Sequence, residues 1–405
     1  MHGTPLKIKA HAEEDWEQLA PGVNYKQIEL ENGIMVQTAF HLEVDARNPY
    51  IQLSVKSLDH KVGQLATIRE LISDEIENEQ QVVFGVNGDF FSHIGIPSGI
   101  QISNHEVITS KKQSKVVMAL METNDVILRE HVKMYASVTT ENGHAIDIDE
   151  INSSRYLHND HHLFLYNDRF RTSTKTPQGG IEIGVAVDDE RIFPGRTIKG
   201  KVLFIEETAD TRIENRTIVL SATGSKASWL QKHLKNGDDI AIDVSFSHGI
   251  DHAKEVISGN STYGYPLIRH GKVAEEILDD SNPHNLERHP RTMLASKNGN
   301  LHILVIDGRQ PGYSDGVTLA EGAYYLKELG MEQAINIDGG GSTTCFIRKP
   351  GDEVPEIVNQ PSDGFEREVG NAILLTSHAP QNELVQLITE PHKVLKIVAG
   401  STIEL

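Results

Sequence analysis

The chain is poor in cysteine. Its 405 residues include one, Cys345, so an intrachain disulfide framework and a multi-cysteine zinc site are both excluded. Aromatic residues are only 6% of the total, and there are two tryptophans. Positive charge is also scarce: 38 Lys and Arg stand against 58 Asp and Glu, a net charge of −20. A general nucleic-acid binder needs a basic face, so that class is excluded, and so is docking on anionic membranes. No apolar run reaches about 18 residues, the length that a membrane-spanning helix requires. The start, Met1-His2-Gly3-Thr4-Pro5-Leu6-Lys7, lacks the apolar centre of a secretory leader. Either the protein is cytoplasmic, or it is secreted or surface-bound and the leader is missing from this chain.

With 38% hydrophobic and 24% charged residues, the composition is that of a globular chain with ample core. The pattern predicts an α+β fold, with strand-rich mixed sheets and a few packing helices. Strand signals occupy Val23 to Ser57, with Asn32-Gly33 as a hairpin turn. Leu65, Ile68, Leu71, Ile72 and Ile76 lie at helical spacing over 63–79. Val82–Val86 is a short buried strand. Further strands are expected at 181–187, 202–205, 218–220 and 240–246, with a helix near 226–235. This divides the chain into an N-terminal hairpin and helix region (1–79), a main domain (80–376) with a β-rich part at 181–260, and a segment from 377 to 405. That last segment reads either as the first strands of a further β-module or as a terminal strand pair.

Three apolar strands end alike. Val82-Val83-Phe84-Gly85-Val86 runs into Asn87-Gly88-Asp89. Leu301–Ile306 runs into Asp307-Gly308-Arg309. Ala334-Ile335-Asn336-Ile337 runs into Asp338-Gly339-Gly340-Gly341-Ser342. One Asn-Gly or Asp-Gly ending is an ordinary turn. Three of them place polar groups at rigid strand ends, where the glycine lets backbone or ligand approach closely. The glycine run follows a buried strand rather than a polar stretch, which argues against a linker. Its N–H groups can form an anion nest, with the Ser342 hydroxyl beside them.

Arg291, Arg309 and Arg367 offer forked, permanent cations suited to phosphate oxygens; salt bridges to the many carboxylates are the alternative. Thr318 and Glu321 fit a helix capping box, and Glu321 is otherwise a carboxylate held at a helix start. Two other motifs lead nowhere. Gly195–Lys201 lacks the Ser or Thr that completes a nucleotide P-loop, and the His158, His161 and His162 group has no further ligand pattern.

Taken together, Asn87-Gly88-Asp89-Phe90-Phe91, Arg291-Thr292, Asp307-Gly308-Arg309, Thr318–Glu321, Asn336–Ser342, Asn359–Asp363 and Val369-Gly370-Asn371-Ala372 resemble the phosphodiester glycosidase family. The resemblance runs from about residue 80 to 376. Asp89 stands where that family often has Gly, and the disulfides of its animal enzyme have no counterpart. The resemblance implies a hydrolase acting on a sugar joined through C1 to a phosphodiester, of N-acetylglucosamine or cell-wall glycan type. Its partner is thus a glycan or sugar-phosphate diester, with no nucleic acid and no membrane insertion. Asp338, Glu321 and Asp307, in that order, are the carboxylates for direct chemistry. Arg291, Arg309 and the Gly339, Gly340, Gly341 and Ser342 loop would contact phosphate. Asn87, Asp89, Asn336 and Asp363 would hold sugar hydroxyls or orient the other groups, and Arg367 joins the binding set. No cofactor is required by such a reaction, though Ca²⁺ or Mg²⁺ could bridge some of these oxygens. The rival readings are a non-catalytic module for phosphorylated glycans and a metal-dependent phosphodiesterase that cleaves P–O.

Overall fold

The structure is a computed structural model, described here for residues 7–8, 16–31, 35–259, 264–279 and 281–380. The Asn32-Gly33 turn and residues 381–405 of the C-terminal segment lie outside the described residues.

Strand Asn300–Ile306 shows how the layers arise. Its odd positions Leu301, Ile303 and Val305 enter one core, and Leu304 and Ile306 enter another. A strand apolar on both faces must be covered on both. Its sheet has nine strands, with the central order Val23–Glu31, Val36–Val44, Asn300–Ile306, Arg291–Lys297, Gln333–Asn336, Pro266–Arg269. The outer face is covered by helix Leu319–Glu328, through Leu319, Ala323, Tyr325 and Leu326. Asn300–Ile306 and Gln333–Asn336 both run antiparallel to Arg291–Lys297. They are therefore parallel to each other across that strand, and helix 319–328 is the crossover between them.

The inner face packs on a five-stranded sheet, in the order Glu356–Ile357, Cys345–Ile347, Val82–Asn87, Ala372–Ser377, Ile51–Lys56. Its far face is covered by helix Ile68–Glu77, whose Ile68, Leu71 and Ile72 meet Phe346 and Leu374. Thr67 and Glu70 close a capping box at the start of that helix. The 63–79 periodicity thus gives a helix shortened at its N-terminus by this cap. Strands from the 1–79 region are hydrogen-bonded into both sheets.

The third sheet has twelve strands. Ala145–Asp147 lies outside Val126–Thr140, and the remaining eleven form a closed ring. Val126–Thr140 closes it by pairing with Gln113–Met121 along its first half and with Asp239–Phe246 along its second. The interior is filled by apolar side chains, Val132, Leu165, Ile183, Leu220 and Ile242 among them, so this is a packed barrel and not a channel. All four strands expected between 181 and 246 belong to it, and helix Gly224–His233 packs there through Ala227 and Leu230. Gly195–Lys201 runs from a turn into strand Ile198–Glu206, so no helix begins there to serve a P-loop. The fold is mostly β, with the few packing helices that the sequence pattern predicts.

Ile303 is fully buried between the two stacked sheets. Ile303→Ala should lower the unfolding free energy by about 2–5 kcal/mol in a urea titration; an unchanged midpoint would show that these faces do not form one core.

Candidate active site

The three polar strand ends meet at one end of the stacked sheets. Asn87, at the end of Val82–Asn87, donates from Nδ2 to the Asp338 carbonyl at 2.7 Å. Its Oδ1 accepts from the Thr292 hydroxyl at 2.8 Å. One fully buried amide thus joins the five-stranded sheet to two strands of the nine-stranded sheet. The Asp338 N–H adds a bond to the Gly88 carbonyl.

Gly88 is a position where only glycine fits. A Cβ there would lie 2.2 Å from Asn371 Oδ1. That oxygen accepts the Asp89 N–H at 2.8 Å, and Asn371 Nδ2 donates to Asp89 Oδ2 at 2.9 Å. The other Asp89 oxygen accepts the Ser258 N–H at the end of a barrel strand. Asp89 therefore sits where all three sheets converge. Burial pushes its carboxyl up to about 8, against the pull of the Asn371 and Ser258 bonds and with help from the Asp338 charge.

Asp338 is the least enclosed of the three expected reacting carboxylates. Its Oδ1 accepts the Gly339 N–H at 2.9 Å, and the Ser342 hydroxyl also turns toward it. Desolvation lifts it to about 6, although both bonds and the Arg367 charge favour the anion. The backbone then turns tightly through Gly340–Ser342. Gly340 has φ +62°, and a Cβ on it would meet the Arg309 guanidinium at 2.9 Å. Arg367 and Asp363, joined at 2.6 Å, press on Gly341 in the same way. Asp338, Ser342, Arg309, Arg367 and Asp363 are thus brought together around the glycine turn.

Four expectations change. Glu321 is buried in the capping box: its Oε2 accepts the Thr318 N–H at 2.9 Å, and its Oε1 pairs with Arg288. Asp307 accepts from Asn359 Nδ2, Tyr313 Oη and the Gln360 N–H, so it holds the 359–360 loop. Burial raises its carboxyl above the usual range against those three bonds. Arg291 is buried and donates to the carbonyls of Glu287 and Val317 instead of facing a ligand. Burial, with Arg309 nearby, brings it down to about 10. The nest is also partly used internally, since Gly339 N–H goes to Asp338 and Gly340 N–H to the Pro290 carbonyl. In each case a buried polar group has found a protein partner, which is the usual outcome.

Unsatisfied groups collect nearby. Asn336 Oδ1, Thr343 Oγ1, Thr344 Oγ1 and Ser362 Oγ are buried without a hydrogen-bond partner. All four lie on the segments that build the Asp338 turn. Sequence reasoning placed Asn371 in a motif but gave it no task, and it passed over His289, which accepts from Arg309 Nε at 3.2 Å. Neither residue stands at a strand–Asp–Gly ending, which was the signal used. Among the described residues no group of three His, Cys, Asp or Glu side chains is arranged to hold a metal ion.

Residues 183–376 match the model of the phosphodiester glycosidase family. The match covers just under half of the chain. No curated protein matches the sequence. A hypothetical protein from Synechocystis shares the fold, with a TM-score of 0.70 and 16% identity over 92% of this chain. The present chain spans 64% of that protein's length. A "Putative exported protein" of Burkholderia pseudomallei K96243 gives a TM-score of 0.65 and 20% identity, over 84% of this chain and 74% of that one. The zebrafish N-acetylglucosamine-1-phosphodiester alpha-N-acetylglucosaminidase catalytic domain, auto-inhibited by its pro-peptide, aligns over 93% of this chain and 89% of its own at 14% identity. Its TM-score of 0.39 is too low to carry an argument.

The phosphodiester glycosidase segment holds Asp307, Glu321 and Asp338 with the glycine turn, while Asn87 and Asp89 come from outside it. Its Asp338 and the neighbouring Asp89 are both raised above the ordinary carboxylate value. The folded state then binds more protons than the unfolded chain between about pH 4 and 8, so stability falls as pH rises through that window. Urea unfolding should show a lower midpoint at pH 8 than at pH 5. Asp338→Asn should flatten the part of the slope near pH 6; an unaltered slope would mean that Asp338 titrates normally.

Proposed function

We propose that the protein hydrolyses a sugar-1-phosphate diester at the sugar C1–O bond, releasing free sugar and a phosphomonoester. The observation that carries this reading is a partly accessible carboxylate, Asp338, lifted to about 6 beside two exposed guanidiniums on a glycine turn. A base of that strength is well matched to work near neutral pH. Among the described residues Arg309 is engaged only through Nε and keeps its two Nη groups for phosphate oxygens, while Arg367, whose Nε and Nη2 are held by Asp363, would contribute its charge.

In this reading Asp338 takes a proton from water as the water oxygen attacks C1. The C1–O bond breaks, and its electron pair leaves on the phosphate. The departing phosphomonoester has a second pKa near ~6, so it needs little protonation. The demands on the site are therefore anion binding and stabilisation of positive character at C1. Asn336, Ser342 and Asp363 would supply polar groups for sugar hydroxyls. An attack by Asp338 itself on C1 would give retention instead of inversion. N-acetylglucosamine and cell-wall glycans are the substrate types that the family suggests. A secreted or cell-surface setting suits them, and one structural neighbour carries a name that speaks of export. Among the described residues no helix is long and apolar enough to cross a membrane.

The test is turnover of sugar-1-phosphate diesters in ¹⁸O water, with products identified by mass. Label should enter the sugar, and label in the phosphate would overturn the reading in favour of P–O cleavage. Binding without turnover would leave a glycan-binding module. Activity should survive EDTA, and Asp338→Asn should lower kcat by on the order of 10²-fold or more while the fold is kept.

A further inference from the structure

One segment, Glu287–Arg291, is attached to both halves of the anion site. The Pro290 carbonyl accepts the Gly340 N–H at 2.9 Å and so fixes the glycine turn. Two bonds between the backbones of His289 and Val317, at 3.3 and 3.1 Å, lock the segment in place. Arg291 clamps it from within by donating to Glu287 and Val317 carbonyls. From this anchored position His289 Nδ1 lies 3.2 Å from Arg309 Nε, and His289 Nε2 lies 3.0 Å from Glu287 Oε2.

Arg309 needs such a partner. Its backbone is in the left-handed region, φ +59°, an uncommon conformation for a side chain of this size. Its guanidinium is exposed, yet it packs within about 3 Å of where a Gly340 Cβ would be. An exposed arginine otherwise samples many rotamers.

We infer that His289 is a positioning residue that holds the Arg309 guanidinium over the glycine turn only while its imidazole is neutral, so that the anion affinity of the site is gated by the charge on this histidine. The inference rests on the reading of the site as one for a phosphoryl anion. The geometry sets the tautomer. Arg309 Nε carries a hydrogen, so Nδ1 must present a lone pair, and the proton sits on Nε2, facing Glu287. Protonation puts a second N–H on Nδ1, opposite the Arg309 N–H. The hydrogen bond becomes a contact between two donors and two like charges, and Arg309 leaves.

The charged and titratable groups facing His289 are Glu287, Arg309, Arg291 and His284. Burial holds its pKa below the ordinary histidine value, Arg291 and Arg309 push the same way, and Glu287 opposes them. The neutral form is therefore the resting form at neutral pH. Asp338 contributes with the opposite sign, because its protonation near pH 6 removes a negative charge beside the anion.

Sulfate separates these effects, since its charge is constant from pH 5 to 8. Its binding to the full chain is measured calorimetrically at both pH values, alongside His289→Asn, His289→Leu and Arg309→Ala. Asn keeps an acceptor and cannot titrate, so at pH 8 it should bind within about twofold of the unmodified protein. Leu lacks the acceptor and should bind about tenfold more weakly, a loss of about 1.4 kcal/mol. Once the pH is lowered far enough to protonate His289, the unmodified protein should fall several-fold below His289→Asn. With substrate, Leu should raise KM and spare kcat. Identical pH dependence in the unmodified protein and His289→Asn would overturn the inference, as would full sulfate affinity in His289→Leu or Arg309→Ala, or no sulfate binding to the unmodified protein. Thermal unfolding of each variant shows whether the fold is retained, and His289→Asn keeps the test open if His289→Leu fails to fold. The sulfate arm needs no turnover, so a failure of the glycosidase reading would appear in the substrate arm alone.

Discussion

Asn87 carries the arrangement. Its amide spends both of its ends across a sheet boundary, donating to the Asp338 carbonyl and accepting from Thr292. The two stacked sheets bury a broad apolar interface, but hydrophobic packing has no direction and cannot fix where strand ends stop relative to one another. Two bonds from one rigid, fully buried group can. The position of Asp338, and with it the glycine turn and the arginines packed on that turn, follows from this register.

Desolvation then shapes the chemistry. Three carboxyls stand near these strand ends, and all three are raised by burial. They differ in what else touches them. Asp307 has three donors and serves a loop. Asp89 has two and serves the junction of three sheets. Asp338 is less enclosed and has a cation, Arg367, nearby. Similar residue types at similar strand ends thus acquire different tasks from their hydrogen-bond partners.

Much of this was legible in the sequence. The apolar runs 82–86 and 301–306 announced strands, and their Asn-Gly and Asp-Gly endings picked out the site. Thr318 and Glu321 announced a helix start, and both oxygens of Glu321 are engaged there and with Arg288. The barrel was not legible, because ring closure depends on pairings such as Val126–Thr140 with Asp239–Phe246, 100 or more residues apart, which leave no local pattern. Arg291 misled for a related reason. A buried arginine satisfied by backbone carbonyls has the same letters around it as one that faces a phosphate. Asn371 and His289 act through long-range contacts and have no local signature either.

The stretch that matches the family, 183–376, begins inside strand Ile181–Val187 and takes only part of the barrel. Leu163–Tyr166, which flanks Thr217–Ala222, lies before it, and so does Val126–Thr140, which flanks Asp239–Phe246. Ala253–Ser258 would lose both neighbours. Cutting the polypeptide at 183 would therefore expose several raw strand edges and one face of a hydrophobic interior, an invitation to intermolecular pairing. Kinship and autonomy are separate properties here. What matches a family as a unit is not a unit that physics would let stand alone.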